Sequence, residues 1–270
     1  MIATTNRYLL GDDIVAAQRL RVLDEVYGRT SRVLLGRAGL RAGWRCADIG
    51  CGMGLVAMAM AERVGEAGRV VGVDRIESFI EEAQRASAER GLGNVEFIAG
   101  DAAVPPLTAG EFDLVYARCM LSHLADPLRA LRAMARLARP GGVVVVEDID
   151  CGGVFAHPEA AALMRHLDLY QRIMRLHGGD PLMGRKLPRL CRKAGLADVH
   201  FEIVTPAEPQ EPVKRLYPMT LACLKPAIVE AKLAAADAVD SLVAELHAFA
   251  NDPTETMSST PMVQVWSKRP

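Results

Sequence analysis

Three glycines at alternate positions, Gly50, Gly52 and Gly54, separate the apolar run "RCADI" from the small-residue run "LVAMAMAERV". Glycines where a strand turns into a helix let the backbone approach a bound nucleotide-like molecule closely. Carboxylates accompany them. Asp48 lies two residues before the first glycine, Asp74 closes "VVGVD", and Asp101 opens the turn in "FIAGDAAVPPL". A carboxylate at Asp74, 22 residues after Gly52, is placed to accept both hydroxyls of a ribose. One at Asp101 can accept a hydrogen bond from an adenine amino group, and the small Ala102 beside it leaves room for the ring. A phosphate-cradling loop needs G-x-x-x-x-G-K-S/T, and no Lys-Ser or Lys-Thr follows these glycines. A dinucleotide fingerprint needs G-x-G-x-x-G, whose last glycine is Leu55 here, and Asp48 would face the pyrophosphate. The loop therefore favours a nucleoside cofactor without phosphates, carrying a cationic amino group that Asp48 can attract.

Further candidates follow "FDLVYARCMLSHL". Arg118 closes that strand, and His123 stands where a general base could take a proton from a hydroxyl, an amine or an acidic carbon. His157, His166 and His177 lack metal-ligand spacing and read as surface or pocket wall together with Tyr170. The acidic "EDID" at Glu147 to Asp150 lacks a further carboxylate after the fourth strand, where "YARCM" stands, so no metal is expected. The six cysteines form no C-x-x-C pair, which argues against zinc and disulfides and for a reducing, cytoplasmic setting. A net charge of −1 with interspersed signs argues against nucleic acid, and no apolar run reaches membrane-spanning length.

The elements that must position these residues alternate. Strands are expected at Arg45 to Ile49, Arg69 to Val73, Val95 to Ala99, Phe112 to Ala117 and from "VVVVE" onward. Helices are expected at Gly54 to Val64, Glu77 to Arg90 and from Pro127, capped by Asp126, to a stop at Pro140. Near-continuous apolar strands alternating with helices predict an α/β fold with a parallel sheet covered on both faces. Beyond Asp150, helices are expected at Pro158 to Leu176, Arg185 to Ala194, Pro212 to Glu230 and Ala234 to Phe249, with strands at Val199 to Val204 and Met262 to Arg269. The reading divides the chain into an N-terminal helical cap (1–42), a cofactor-binding core (43–150), helical substrate-binding insertions (151–196 and 206–258) and the final core strands (197–205 and 259–270). The apolar stripe near the N-terminus serves either a lid or a homodimer surface.

In order, "DIGCGMG", "VVGVD", "AGDAAVPPL" and "FDLVYARCMLSHLADP" with "LARPGGVVVVED" resemble the motifs of class I S-adenosylmethionine-dependent methyltransferases, across about Arg45 to Asp148. "RYLLGDD" with "QRL" is similar to the small-molecule subset that acts on ubiquinone and menaquinone precursors. The resemblance implies a Rossmann-like seven-stranded, mostly parallel sheet with an antiparallel last strand, N-terminal helices and a helical lid. It implies that Gly50, Gly52 and Gly54 approach the methionine moiety of S-adenosyl-L-methionine and Asp48 draws its amino group. Asp74 would hold the ribose, Arg75 would line the adenine, and Asp101 with Ala102 would receive that ring. Arg118 would reach the cofactor carboxylate or the substrate, Tyr8 and Gln18 would close over the cofactor, and His123 is the provisional base. The expected acceptor is a small biosynthetic molecule methylated on O, N or C, with S-adenosyl-L-homocysteine as product. A cyclase-like enzyme that keeps the cofactor without methylating is the competing reading; a nicotinamide-dependent dehydrogenase is disfavoured by Leu55 and Asp48.

Overall fold

The computed structural model describes residues 9–207 and 212–270. Helix α1 (Ile14–Arg37) starts at Asp13, whose carboxylate accepts from the amides of Val15 and Ala16. The core then runs β1 (Arg45–Ile49), α2 (Leu55–Val64), β2 (Arg69–Asp74), α3 (Glu77–Glu89), β3 (Val95–Ala99), β4 (Phe112–Arg118), α4 (Pro127–Leu137) and β5 (Ala138–Ile149). It continues with β6 (Ala156–His157), α5 (Ala161–Leu176), α6 (Leu187–Lys193), β7 (Ala197–Val204), α7 (Pro212–Glu230), α8 (Ala236–Asn251), β8 (Thr256–Met257) and β9 (Met262–Lys268). Seven strands form one sheet in the order β3-β2-β1-β4-β5-β9-β7. The first five are parallel, and β9 runs antiparallel to both β5 and β7.

Alternation of side chains along each strand sorts the apolar runs onto two faces. Ala47, Ile49, Val71, Val73, Val115 and Val144 pack with α4 and α6. Cys46, Val70, Leu114, Tyr116 and Val145 pack with α2, α3 and the end of α1. The chain order reverses between β1 and β4, opening a crevice beyond their carboxyl ends, the usual ligand position in such sheets.

One local expectation is corrected, and two features go beyond the sequence reading. Helix α4 gives way to β5 at Ala138 rather than stopping at Pro140, because Ala138 already pairs with Phe112. The register shifts at once, and the bulge brings a Gly142 that no larger residue could replace: a Cβ there would meet the Arg139 and Phe112 carbonyl oxygens at 2.8 and 2.9 Å. Helix α6, placed by the sequence reading within the 151–196 insertion, packs on the sheet through Leu187 and Cys191. A ribbon of β6 and β8, which no local pattern announces, joins the two insertions. Helices α5, α7 and α8 pack on one another, and α7 packs on α1, to form the cap. Among the described residues, no helix is long and apolar enough to cross a membrane.

A buried polar network fastens α1 across the sheet. Arg118 at the end of β4 pairs with Asp24 at 2.8 Å and donates to Ser31 Oγ at 3.2 Å. Ser31, Tyr116 and Gln264 in turn donate to Glu147 on β5, which is almost fully buried. Removing Glu147 orphans the buried Tyr116 and Gln264 donors and leaves Ser31 Oγ only its bond to the Tyr27 carbonyl at 3.1 Å. Glu147→Ala is therefore expected to lower the unfolding free energy by about 3 kcal/mol, with Glu147→Gln costing less, as measured by urea denaturation.

Candidate functional site

A cavity of about 170 Å³ lies in the crevice, walled by the ends of β1, β2 and β4, the turn after β3, and α1. The glycine turn is held onto β2: the amides of Gly50 and Cys51 both donate to the Val73 carbonyl, at 2.7 and 3.0 Å. Gly50 has φ of +75°, and a Cβ on it would meet Met120 Cγ at 2.6 Å. No side chain fits between this turn and the β4 loop, so backbone forms the cavity floor. Asp74 stitches the two turns together, accepting from the Gly52 amide at 2.8 Å and the Ile76 amide at 3.0 Å. Each carboxylate oxygen keeps acceptor capacity toward the cavity that Asp74 lines.

Asp48, Gly50, Gly52, Asp74, Arg75, Asp101, Ala102, Arg118 and His123 all line this cavity. Asp101 is exposed at its rim and accepts from the Ala103 amide at 2.6 Å. Gly54 does not line the cavity. Its φ is +73°, and a Cβ there would meet Phe97 Cε1 at 2.4 Å, so its bareness seats α2 against β3. Gln18 is exposed on the outer face of α1, and the next residue, Arg19, points inward instead. Arg118 lines the cavity while committed to Asp24. Tyr8 lies outside the described residues.

Burial sets the electrostatics. It pushes the Asp48 carboxyl up to about 7, against the opposing pull of Arg118. It also raises Asp74, which the amides of Ile76 and Gly52 partly offset. The His123 imidazole is lowered to about 3 by burial and by the charges of Arg19 and Arg75. That imidazole is neutral at neutral pH and a weak proton acceptor, which suits positioning better than deprotonation. Among the described residues, no three His, Cys, Asp or Glu side chains cluster as metal ligands.

The sequence reading missed Arg19, Leu20 and Leu23 from α1, and Ile76 and Phe79 at the start of α3. Arg19 lies in the helical stripe of Ala16 and Leu23, three residues after one and four before the other. Phase along the helix was the signal that separates it from Gln18.

A family model described as a methyltransferase domain matches residues 40–202, more than half of the chain. An uncharacterised 37.1 kDa protein in transposon TN4556 of Streptomyces fradiae is 32% identical over 190 residues, covering 69% of this chain and 52% of that protein. Nocamycin O-methyltransferase of Saccharothrix syringae is 40% identical over 118 residues, covering 44% of this chain and 42% of the relative. The chain thus spans about half the length of these curated relatives. Among solved structures, the cyclase SpnF shares the fold at a TM-score of 0.57 and 21% identity, covering 90% of this chain and 80% of that one. With motifs, fold and family model in agreement, the chain belongs to the methyltransferase domain family, on the class I Rossmann-like fold.

Proposed function

We propose that the protein transfers a methyl group from S-adenosyl-L-methionine to an O, N or C atom of a small biosynthetic molecule, releasing S-adenosyl-L-homocysteine. The observation that carries this reading is the convergence of Asp48, the glycine turn, Asp74 and Asp101 on one cavity closed by α1. The donor set fits the cofactor piece by piece. Asp48 offers a carboxylate to an ammonium, Asp74 retains acceptors for ribose hydroxyls, and Asp101 stands at the rim where an amino group of a base can reach it. Ile76, Phe79 and Leu20 supply apolar surface for a ring. When bound, the cofactor supplies a sulfonium methyl that is intrinsically electrophilic. The protein's share is then to hold the acceptor in line with that methyl and to exclude water, tasks that fall to α1 and the cap helices. His123, neutral and in the cavity wall, suits holding an acceptor's polar atom. The SpnF likeness shows the fold alone and leaves the cyclase-like reading without a residue of its own.

Calorimetry with S-adenosyl-L-homocysteine is expected to show micromolar or tighter affinity, and Asp74→Ala to weaken it by about tenfold or more. Absence of binding by the folded protein would overturn the assignment. Demethylated cofactor accumulating with a turned-over acceptor separates transfer from cyclase-like chemistry.

Protonation of Asp48 removes the charge that attracts the cofactor ammonium. With its carboxyl held at about 7, affinity should fall as pH drops through that value. A loss of about tenfold between pH 8 and pH 6 is expected, and Asp48→Asn should flatten the profile at the weaker level.

A further inference from the structure

Arg19 has no task in the cofactor contacts above, yet it is buried, only 8% exposed. It forms part of the wall of the main cavity and of a second cavity of about 50 Å³ that reaches from there toward α5 and α7. Its Nε donates to Thr220 Oγ1 at 3.0 Å, and among the described residues no carboxylate pairs with the guanidinium. Arg118, the neighbouring buried cation, is answered by Asp24. A guanidinium keeps its charge on burial, and a buried charge without a counter-ion is costly. A fold that retains one here has a place for an incoming anion.

The surroundings define what kind of anion. His166 is 2% exposed, lines the second cavity, and has no hydrogen-bond partner at Nδ1. Burial and the Arg19 charge lower that imidazole to about 4, so it is neutral, as His123 is. Tyr170 and Tyr217 flank His166, the latter edge-on with ring centroids 5.6 Å apart. The Tyr217 hydroxyl is spent on the Ser258 carbonyl, whereas that of Tyr170 makes no hydrogen bond with the described residues. One cation, neutral hydrogen-bonding groups and aromatic walls suit an oxyanion carried on a small apolar frame.

The cofactor also has a carboxylate, and Arg19 borders both cavities, but its one hydrogen bond among the described residues points to the second. Its Nε faces Thr220 on the second cavity, and its charge acts on His123 and His166. The charges that act most strongly on Asp48, at the cofactor's amino-acid end, are Arg118, Asp74 and Glu147.

We propose that Arg19 binds a carboxylate, or an oxyanion of similar acidity, carried by the methyl acceptor, with His166 and Tyr170 hydrogen-bonding it from the second cavity. The acceptor is then a small organic acid. The proposal rests on the methyltransferase reading for calling the occupant an acceptor; the anion site itself does not depend on it.

The test uses benzoate, with benzamide as its neutral match, titrated by ligand-detected NMR against the full chain saturated with S-adenosyl-L-homocysteine. The wild type should prefer benzoate by about tenfold or more. Arg19→Gln should abolish the preference and leave S-adenosyl-L-homocysteine affinity within about twofold, while Arg19→Lys keeps part of it. Equal affinity for the two probes, or no benzoate binding by the wild type, overturns the proposal. So does an Arg19→Gln protein that keeps the benzoate preference and loses cofactor affinity, which would assign Arg19 to the cofactor carboxylate. If Arg19→Gln fails to fold, Arg19→Lys decides: a weakened preference at unchanged cofactor affinity supports the site, and an unchanged preference overturns it. Failure of the wild type to bind S-adenosyl-L-homocysteine would fall on the proposed activity instead, and the two probes titrated without it still decide the anion site.

Discussion

The cavity depends on one arrangement of charge: Arg118 and Glu147, at the ends of adjacent strands, are both answered from α1. A buried guanidinium and a buried carboxylate each carry a desolvation cost that only close partners offset. Asp24 and Ser31 supply those partners from one helix, a turn or two apart, which fixes α1 in both rotation and translation. Arg19, Leu20 and Leu23 face the crevice as a result of that fixation. Helix α1 belongs to the site as firmly as the glycine turn does, although nothing covalent holds it near the sheet.

The same burial that closes the crevice simplifies its chemistry. Asp48, His123 and His166 are each driven toward the neutral form, so the interior carries less charge than its residue list suggests. Asp74 is raised as well, though less freely, and Arg19 keeps its charge. Backbone amides offset part of the burial effect on the Asp74 carboxylate, and a guanidinium does not surrender its proton.

The parts of this architecture legible in the sequence were those encoded within a few residues. The strand-turn-helix around Gly50, the acid closing β2 and the Asp126-Pro127 start of α4 are local statements, and the structure places them as read. Where meaning depended on a distant partner, the sequence was silent or misleading. Gly54 looks like part of the cofactor loop, but Phe97, more than forty residues later, explains its bareness. Gln18 and Arg19 are adjacent and both polar; helical phase with Ala16 and Leu23 separates them, but the docking of α1 decides what Arg19 faces. Helix α6 carries no mark to separate it from the insertion, because an amphipathic pattern states that a face is buried and not against what. Glu147 read as one member of an acidic run, while its hydrogen-bond donors come from β4, β9 and α1.

Glu147 also joins regions that are far apart along the chain. It receives Ser31 from the first helix and Gln264 from the last strand, and Tyr27 on that helix donates to the carbonyl of Thr260 at 2.6 Å. During synthesis, residues 14–37 leave the ribosome long before the strand that completes their binding surface. Until then the first helix has only part of its seat, and its apolar stripe is open to solvent or to a chaperone. The seat of the first helix is therefore complete only once β9 has emerged and paired beside β5.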